Sequence, residues 1–404
     1  MLKRLPVLHI VLAVCALLLW CAGAFTAQRA AAGCETVAAR FPSGGVSPAQ
    51  LERQLEIFRQ DGLKGAPELT LWAEHAAQTL KAGEDASARA PVLELYGLAE
   101  DACSAAPVRG AFPARGDPRG CAVSEGAAFA LWGGGNVLGQ SVLWEGRTYY
   151  VQGVLKGEEA LMVVQQSAEA QAPMPNMQLR FASGGSRQAA EEFLSRTDFR
   201  GAQLLDMPLA GWLLRFIAFL PALFMGIWML ARLLLEALRM RLDSRGRKDL
   251  PKFLRRLPLL LALGAADVFL ITRGPKLPAA LIPSAWSDFS FWSDLTSNAS
   301  QRVKDWLAYP LGRDIELLFA LLGTAFIIGL ALLLLSMLMG KVKITKPAYV
   351  LIGGAGSLLG MFLMALYYAR RGGLSVSLGM WLMPCLWMLC DYLLGGKEAA
   401  HEEA

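Results

Sequence analysis

Three long stretches of the chain contain no charged side chain, and they limit the possible fold more than any other feature. They run from Leu5 to Gln28, from Leu317 to Met339 and from Pro347 to Ala369. As helices rising about 1.5 Å per residue, each is long enough to cover the roughly 30 Å of hydrocarbon in a bilayer. The pattern therefore predicts transmembrane helices.

Three further apolar stretches contain or border on charged residues. They are Pro208 to Leu235, Leu257 to Thr272 and Leu374 to Leu394. Arg215 and Arg232 lie near the ends of the first, where long side chains reach the headgroups. Asp267 in the second would cost about 2.5–3.5 kcal/mol at mid-bilayer, so this span depends on neighbouring helices. Together the six stretches predict an α-helical polytopic membrane protein with about six spans.

The basic residues of the short connections predict the orientation, because cytoplasmic loops hold the excess of Lys and Arg. The three basic sites are Lys3–Arg4, the eight Lys and Arg between Arg239 and Arg256, and the lysines at 341, 343 and 346. Six crossings place all three on one side. We therefore expect both termini in the cytoplasm and residues 29–207 outside it, at the plasma membrane of a bacterial cell.

This topology divides the chain into an N-terminal anchor, one large outer domain and a helical remainder. The segments are 1–28 (first span), 29–207 (outer domain), 208–236 (second span), 237–256 (basic cytoplasmic loop), 257–273 (third span), 274–314 (outer loop with aromatic residues), 315–394 (three further spans) and 395–404 (cytoplasmic tail). The first uncharged run is longer than the core of a signal peptide, so a retained anchor is favoured over a cleaved signal.

The net positive charge follows this division. Residues 29–207 hold 16 Lys and Arg against 21 Asp and Glu, whereas the whole chain holds 39 against 34. The basic excess thus lies in the membrane half, where it reflects topology. No nucleic-acid partner is predicted.

The outer domain mixes helix and strand patterns. The stretch from Gly45 to Gly62 has a Ser47 cap and apolar residues at Leu51, Leu55, Ile57 and Phe58, which predicts an amphipathic helix. Leu69 to Trp72 and Val92 to Tyr96 are typical of strands. We therefore expect an inserted α+β domain.

Two cysteines of this domain, Cys103 and Cys121, enclose a loop short enough for a disulfide in an oxidising compartment. Connectivity cannot be deduced from the sequence, and two reduced thiols are equally compatible with it.

The most informative stretch runs from Gly120 to Leu155. Cys121 to Val123 predicts a strand, Ser124 and Glu125 begin a short helix, and the glycines at 133–135 end it. A hairpin follows, with its turn at Glu145-Gly146-Arg147.

This stretch resembles the extracytoplasmic core domain of MacB-like and FtsX-like ABC transporter permeases, which is inserted directly after the first membrane helix. The matching positions are Ser124, Glu125, Leu131, Trp132, Gly133, Val137, Gly139, Gly146, Tyr149, Val151, Gly153 and Val154, and Gly110-Ala111-Phe112 with Asp117 is similar to the loop that precedes them. The resemblance implies structural roles for these residues. It also implies a lipid bilayer, a separate ABC ATPase and further permease copies as partners.

The membrane half differs from that pattern. Such permeases usually have three helices after the outer domain and a charged cytoplasmic segment with a Glu-Ile-Gly-like signature. This chain has five candidate spans there, and its basic loop lacks the signature. A non-transporting scaffold or sensor, which binds a peptide, an envelope component or a partner protein, is therefore the alternative to a permease.

No residue pattern indicates an enzyme, a metal site or a cofactor. Gly134 to Ser141 is similar to a phosphate-binding loop, but Gln140 replaces its lysine. The glycines at 353, 354, 356 and 360 favour close helix packing. Asp267 is the one acid deep in a span, with Arg215 and Arg232 as candidate partners, and it either holds helices together or handles substrate or protons. The aromatic residues from Pro283 to Trp292 are typical of an interfacial belt.

Overall fold

The computed structural model describes residues 5–60, 66–83, 86–182, 187–199, 201–243, 250–278, 312–342, 346–369 and 377–395, with isolated residues between 281 and 304 and at 344. They form two compact units. The helical unit comprises Met1–Ala32, Gly211–Asp288 and Asp314–Ala404, and the β-rich unit comprises Gly33–Ala210 with Phe289–Arg313.

The helices are α1 (Leu5–Ala31), α2 (Pro48–Gln60), α3 (Ala99–Ala102), α4 (Glu125–Trp132), α5 (Arg187–Arg196), α6 (Met207–Asp243), α7 (Leu250–Thr272), α8 (Gly312–Lys341), α9 (Pro347–Ala369) and α10 (Leu378–Gly395). The strands are β1 (Val37–Arg40), β2 (Glu68–Ala82), β3 (Ala86–Tyr96), β4 (Pro107–Gly110), β5 (Gly120–Ser124), β6 (Ser141–Trp144), β7 (Arg147–Leu155), β8 (Met162–Gln165), β9 (Asn176–Arg180) and β10 (Gln203–Leu205).

Four helices of the described chain are long and apolar enough to cross a membrane. The candidate spans are His9–Ala31, Met207–Leu242, Asp314–Met339 and Pro347–Tyr368, in α1, α6, α8 and α9. Helix α7 is long enough to cross a membrane but carries Arg255, Arg256 and Asp267. Helix α10 is apolar but shorter. The structure supports membrane-crossing helices at four of the six predicted places. The crossing of α7 and of α10 stays a prediction.

Helix α1 packs inside the helical unit. The buried Trp20 indole donates a hydrogen bond from Nε1 to the carbonyl of Ala218 in α6 over 2.9 Å. The hydroxyls of Thr26 and Thr324 lie 3.2 Å apart, which joins α1 to α8. These polar contacts within an apolar bundle fix the relative positions of the helices.

The glycines of α9 serve partly as the packing interpretation predicts. A Cβ at Gly353 would lie 2.6 Å from the sulfur of Met388, and one at Gly360 would lie 2.9 Å from Leu17. A Cβ at Gly354 would lie at an ordinary contact distance of 3.8 Å from the sulfur of Cys385, and none of the described residues lies within 4 Å of a Cβ at Gly356. Close packing is therefore confirmed at Gly353 and Gly360, and Gly356 does not contribute to it.

The β-rich unit contains a ring of six strands in the order β2-β3-β8-β5-β7-β6, and β6 returns to β2. The closing contact pairs Lys81 with Leu143. Alternate residues of every ring strand point inward and form one buried cluster, to which α4 adds Ala127, Ala128 and Leu131. Because side chains alternate between the two faces of a strand, the outward residues of the same strands form a different cluster.

The other half of the sheet has the order β10-β1-β9-β2. Helices α2 and α5 cover one face of it, where the rings of Phe58 and Phe193 lie 5.6 Å apart. Strand β2 belongs to both halves: its first part pairs with β9 and its last part with β6. A register shift between His75 and Gln78 marks the transition.

Candidate functional site

The motif segment, residues 110–155, supplies three of the six ring strands together with α4. Its elements occur in the predicted order of strand, helix and hairpin: β5, α4, then β6 and β7. The segment places the twelve motif residues at one ring.

Ser124 joins the start of α4 to a distant part of the chain. Its Oγ accepts a hydrogen bond from the amide of Ala127 over 3.1 Å, which is the usual helix N-cap. The same oxygen accepts a second bond from the amide of Leu161 over 2.9 Å. The buried hydroxyl therefore satisfies two backbone donors from segments that are far apart in sequence.

Glu125 and Gly126 extend this connection. The Glu125 Oε2 accepts from the amide of Gly157 over 3.3 Å, and the amide of Gly126 donates to the carbonyl of Gly157 over 3.0 Å. A Cβ at Gly126 would overlap the carbonyl oxygen of Glu158. Only glycine therefore lets the first turn of α4 approach the β7–β8 connection so closely.

The Leu-Trp-Gly sequence ends α4. Leu131 is buried in the ring core, and Trp132 packs partly buried against it. Gly133 has φ 72°, and its amide donates to the carbonyl of Phe129 over 2.8 Å. This is the left-handed C-terminal cap that glycine favours.

The Val-x-Gly sequence returns the chain to β7. Val137 is buried in the ring core. The amide of Gly139 donates to the carbonyl of Val151 over 2.7 Å, and the amide of Val151 donates to Gln140 over 2.9 Å. The linker is thus hydrogen-bonded to the strand that carries the rest of the motif.

The hairpin residues divide between turn and core. Glu145 and Gly146 both have positive φ, 48° and 77°, as a tight two-residue hairpin turn requires. The side chains of Tyr149, Val151 and Val154 point into the ring, and burial raises the pKa of Tyr149. A Cβ at Gly153 would overlap the carbonyl of Ala111, so β4 and β7 approach closely there.

Asp117 attaches the preceding loop to the same strand. Its Oδ2 accepts a hydrogen bond from the Gln152 side chain over 2.6 Å, and its Oδ1 accepts from the amide of Arg119 over 3.0 Å. Partial burial alone would raise the pKa of Asp117, but these hydrogen bonds outweigh it and hold the pKa below its ordinary value. Asp117 is therefore a structural carboxylate.

The disulfide between Cys103 and Cys121 is not formed. Cys121 is a free thiol inside the ring, whereas Cys103 belongs to the cluster on the outer face of the same strands. The sheet therefore separates the two sulfur atoms, and the Cys103 thiol donates a hydrogen bond to the carbonyl of Ala105 instead. Burial raises the pKa of Cys121 from 9.0 to about 12.

Two polar clusters of the β-rich unit are absent from the sequence-based prediction. In the first, His75 Nε2 lies 2.8 Å from Glu94 Oε2, and Gln166 donates to the other oxygen of Glu94. In the second, Arg180 is paired with the buried Asp101, and this hydrogen bond raises the pKa of Arg180. Their members lie far apart in sequence, so no local pattern could have connected them.

A cleft of about 360 Å³ opens elsewhere on the β-rich unit. It lies between residues 41–46, one side of α2 and the residues Asp198, Phe199 and Gly201, with Arg53 and Asp198 in its wall. This volume suits a small molecule or a peptide side chain.

In the helical unit, Asp267 forms no hydrogen bond with either candidate partner, Arg215 or Arg232. Arg232 of α6 forms its ion pair with Asp391 of α10, and Asp391 also accepts a hydrogen bond from the amide of Ile344 over 2.7 Å. Arg215 is exposed. Each of Arg232 and Asp391 is an isolated charge in an apolar stretch, and that shared feature is the signal that could have predicted their pairing.

Two predictions concern residues outside the described ranges. Most of the aromatic stretch from Pro283 to Trp292 and the middle of the basic loop, residues 244–249, belong to this group. Among the described residues, no group of three or more His, Cys, Asp or Glu side chains is placed to hold a metal ion.

No protein-family model matches the chain, and no curated protein does. Among solved structures, the chain is similar to the periplasmic region of MacB from Actinobacillus actinomycetemcomitans, with 13% identity, a TM-score of 0.35, and coverage of 43% of this chain and 89% of that one. It is also similar to the extracellular domain of the noncanonic ABC-type transporter YknZ from Gram-positive bacteria, with 18% identity, a TM-score of 0.29, and coverage of 39% and 87%.

Proposed function

We propose that the chain is a permease-like membrane subunit of an ABC transport system, which works with an ATPase on a separate polypeptide and transmits movement to an extracytoplasmic domain. The support comes from the motif resemblance, from the apolar helices and from the way in which the β-rich unit is connected to two of them.

That connection is the observation on which the proposal depends. Helix α1 is followed by β1, and β10 is followed directly by α6. Strands β1 and β10 are antiparallel neighbours, with Ala38 opposite Leu205 and Arg40 opposite Gln203. The two covalent connections between candidate spans and the segment Gly33–Ala210 therefore both pass through one hydrogen-bonded strand pair.

Strand pairing continues from this pair to the motif segment. Strand β1 pairs with β9, β9 pairs with β2, and β2 forms part of the ring. At about 3.3 Å per residue, the 15 residues of β2 extend roughly 50 Å. A displacement of α1 relative to α6 would therefore act on a continuous sheet, which is how this subunit would couple helix movement to the outer domain.

The proposed topology has six spans, with α7 and α10 crossing as well. If α7 did not cross, α8 would carry the lysines at 341, 343 and 346 to the outside, against the usual bias of basic residues towards the cytoplasm. The 23 residues of α7 are long enough to cross. In this arrangement both termini are cytoplasmic.

We assign the ATPase contact to the cytoplasmic ends of α6 and α7. Arg239 and Arg241 lie exposed on the last turns of α6, and Arg255 and Arg256 lie near the start of α7. Such a basic surface would attract an acidic partner surface.

The test is affinity purification of the tagged full-length protein in mild detergent. We expect an ABC ATPase to co-purify with it. The double variant Arg239→Gln, Arg241→Gln should retain roughly threefold to thirtyfold less of it, since exposed charge pairs contribute up to about 1 kcal/mol each. Six other basic residues remain between Arg239 and Arg256 to preserve orientation.

The matched control is Lys81→Gln, Arg89→Gln, which removes two exposed positive charges from the β-rich unit. This variant should retain the ATPase as the wild type does. Equal losses in both double variants would remove the assignment of the contact, and no ATPase with the wild type would contradict the transport proposal.

The second candidate function is a non-transporting scaffold or sensor. The cleft beside α2 favours it, because a binding site of this size does not require ATP-driven movement. A ligand that protects residues 198–201 from hydrogen exchange, in a preparation without ATPase, would support this alternative.

A further inference from the structure

Asp267 is enclosed in the helical unit without a polar partner. Its side chain lies on α7 and is 0% exposed. Neither carboxyl oxygen has a hydrogen-bond partner among the residues that the structure describes. It lies against the backbone of α6, where a Cβ at Gly226 would stand only 2.9 Å from Asp267 Oδ1.

The charged and titratable groups on the surrounding helices leave this carboxyl group uncompensated. On α6, Arg232 is engaged by Asp391 and Arg215 is exposed. On α10, Cys390 is the titratable neighbour, a thiol within electrostatic range of Asp267. Directly after the last residue of α7, the guanidinium group of Arg273 lies over the ring of Phe269 at 4.6 Å.

An ionised carboxylate is costly in such a place. Even on the more moderate scales, an acid at the centre of a membrane helix costs about 2.5–3.5 kcal/mol, and without a partner the charge is normally removed rather than buried. Either a bound proton or a bound metal cation would have to neutralise the negative charge of Asp267.

The surroundings favour the proton. Hard cations need about six oxygen ligands, whereas Asp267 offers two and its neighbours Gly226 and Ile271 offer no side-chain oxygen. A proton needs only one oxygen lone pair.

We propose that Asp267, enclosed by α6, α7 and α10, is a proton-binding site of the helical unit, and that its carboxyl group holds a proton in the resting protein. Binding transfers a proton from hydronium to one Oδ, which forms one O–H bond and leaves water; release reverses this step. The site goes beyond the transport proposal and does not depend on an ATPase partner.

Infrared difference spectroscopy of the full-length protein in lipid vesicles tests this directly. The wild type minus Asp267→Asn should show, at neutral pH, the C=O absorption of a protonated carboxylic acid, and the band should shift in heavy water. Acids common to both proteins cancel. A difference spectrum without this band, from two folded samples, would overturn the proposal.

Asp391 provides an internal control for a second measurement, because it is buried in the same unit but paired with Arg232. Dicyclohexylcarbodiimide adds to protonated carboxyl groups: the acid oxygen bonds to the central carbon, the proton moves to nitrogen, and acyl migration gives a stable N-acylurea. We expect roughly tenfold more adduct on Asp267 than on Asp391. Equal labelling, or more on Asp391, would count against the site.

The stability of Asp267→Asn separates a protonated acid from an ionised one. Asparagine is neutral and nearly the same size as a protonated aspartic acid, so the variant should unfold in detergent at the same midpoint temperature as the wild type. A clearly higher midpoint would show that a costly unpaired charge had been removed, and a clearly lower one that an attractive charge had been lost; either result would contradict a resident proton.

Discussion

Replacement of Ser124 by alanine should loosen the motif segment at two places that are far apart in sequence. Loss of the cap on Ala127 costs about 1 kcal/mol. The amide of Leu161 loses its acceptor as well, and a buried donor left unsatisfied costs about 1–3 kcal/mol. The total of about 2–4 kcal/mol corresponds to roughly 30-fold to 1,000-fold more frequent local opening.

Hydrogen exchange with mass spectrometry on the full-length protein in detergent measures this opening. Peptides that cover residues 125–132 and 157–165 should exchange faster together, because one hydroxyl holds both segments. Faster exchange in only one of the two segments would show that the Ser124 hydroxyl does not hold both of them.

Ser47→Ala is the matched control, because Ser47 is equally buried but caps only α2, through the amide of Gln50 over 3.2 Å. Its effect should be about 1 kcal/mol and confined to α2. If Ser124→Ala accelerated exchange in α4 alone, or no more than Ser47→Ala does in α2, the double role of Ser124 would be refuted.

Three further predictions concern the ion pair, the ring thiol and the topology. Arg232→Met should markedly lower the midpoint temperature of unfolding in detergent, because the Asp391 carboxylate is left buried without its ion-pair partner. The double variant Arg232→Met, Asp391→Leu should recover most of that loss, and equal midpoints for the single and double variants would contradict this. In the absence of reductant, Cys121 should resist alkylation in the folded protein and react once the protein is unfolded. The free energy of unfolding should fall by about 1.4 kcal/mol per pH unit between pH 9 and 12, because the Cys121 thiol loses its proton there in the unfolded chain and keeps it in the folded protein. Cys121→Ala should remove this component of the pH dependence, and an unchanged alkaline slope would show that other groups cause it. Reporter fusions after residue 343 should give fluorescent green fluorescent protein and inactive alkaline phosphatase, and the opposite result would exclude the crossing of α7.

Sequence patterns predicted the local elements well where a single physical requirement sets them. Charge-free runs marked α1, α8 and α9, because only helices satisfy their own backbone in lipid. Turn and cap chemistry marked α4 and the β6–β7 hairpin, since Ser124, Gly133 and Gly146 each serve a local backbone need.

The sequence did not reveal the ring or the partners of buried charges. Closure through Lys81 and Leu143 and the pairing of β1 with β10 join residues far apart in sequence, and strand patterns carry no information about which strands pair. Ile57 shows the limit of the helical pattern as well. The sequence pattern placed it with Leu51 and Phe58 on one face of α2, but its side chain is 45% exposed. Ile57 follows Leu51 by six residues, and at 3.6 residues per turn that spacing places it on a different side of the helix.

The location of the β-rich unit is the claim on which the transport proposal depends most. A recognition site for a specific protease, inserted in the exposed turn between Glu145 and Gly146, tests it in intact protoplasts. We expect the added protease to cut the chain without membrane rupture, and the C-terminal fragment to stay in the membrane after an alkaline carbonate wash. Protection of the site until the membrane is broken, or release of the fragment by carbonate, would contradict an extracytoplasmic domain carried by membrane helices.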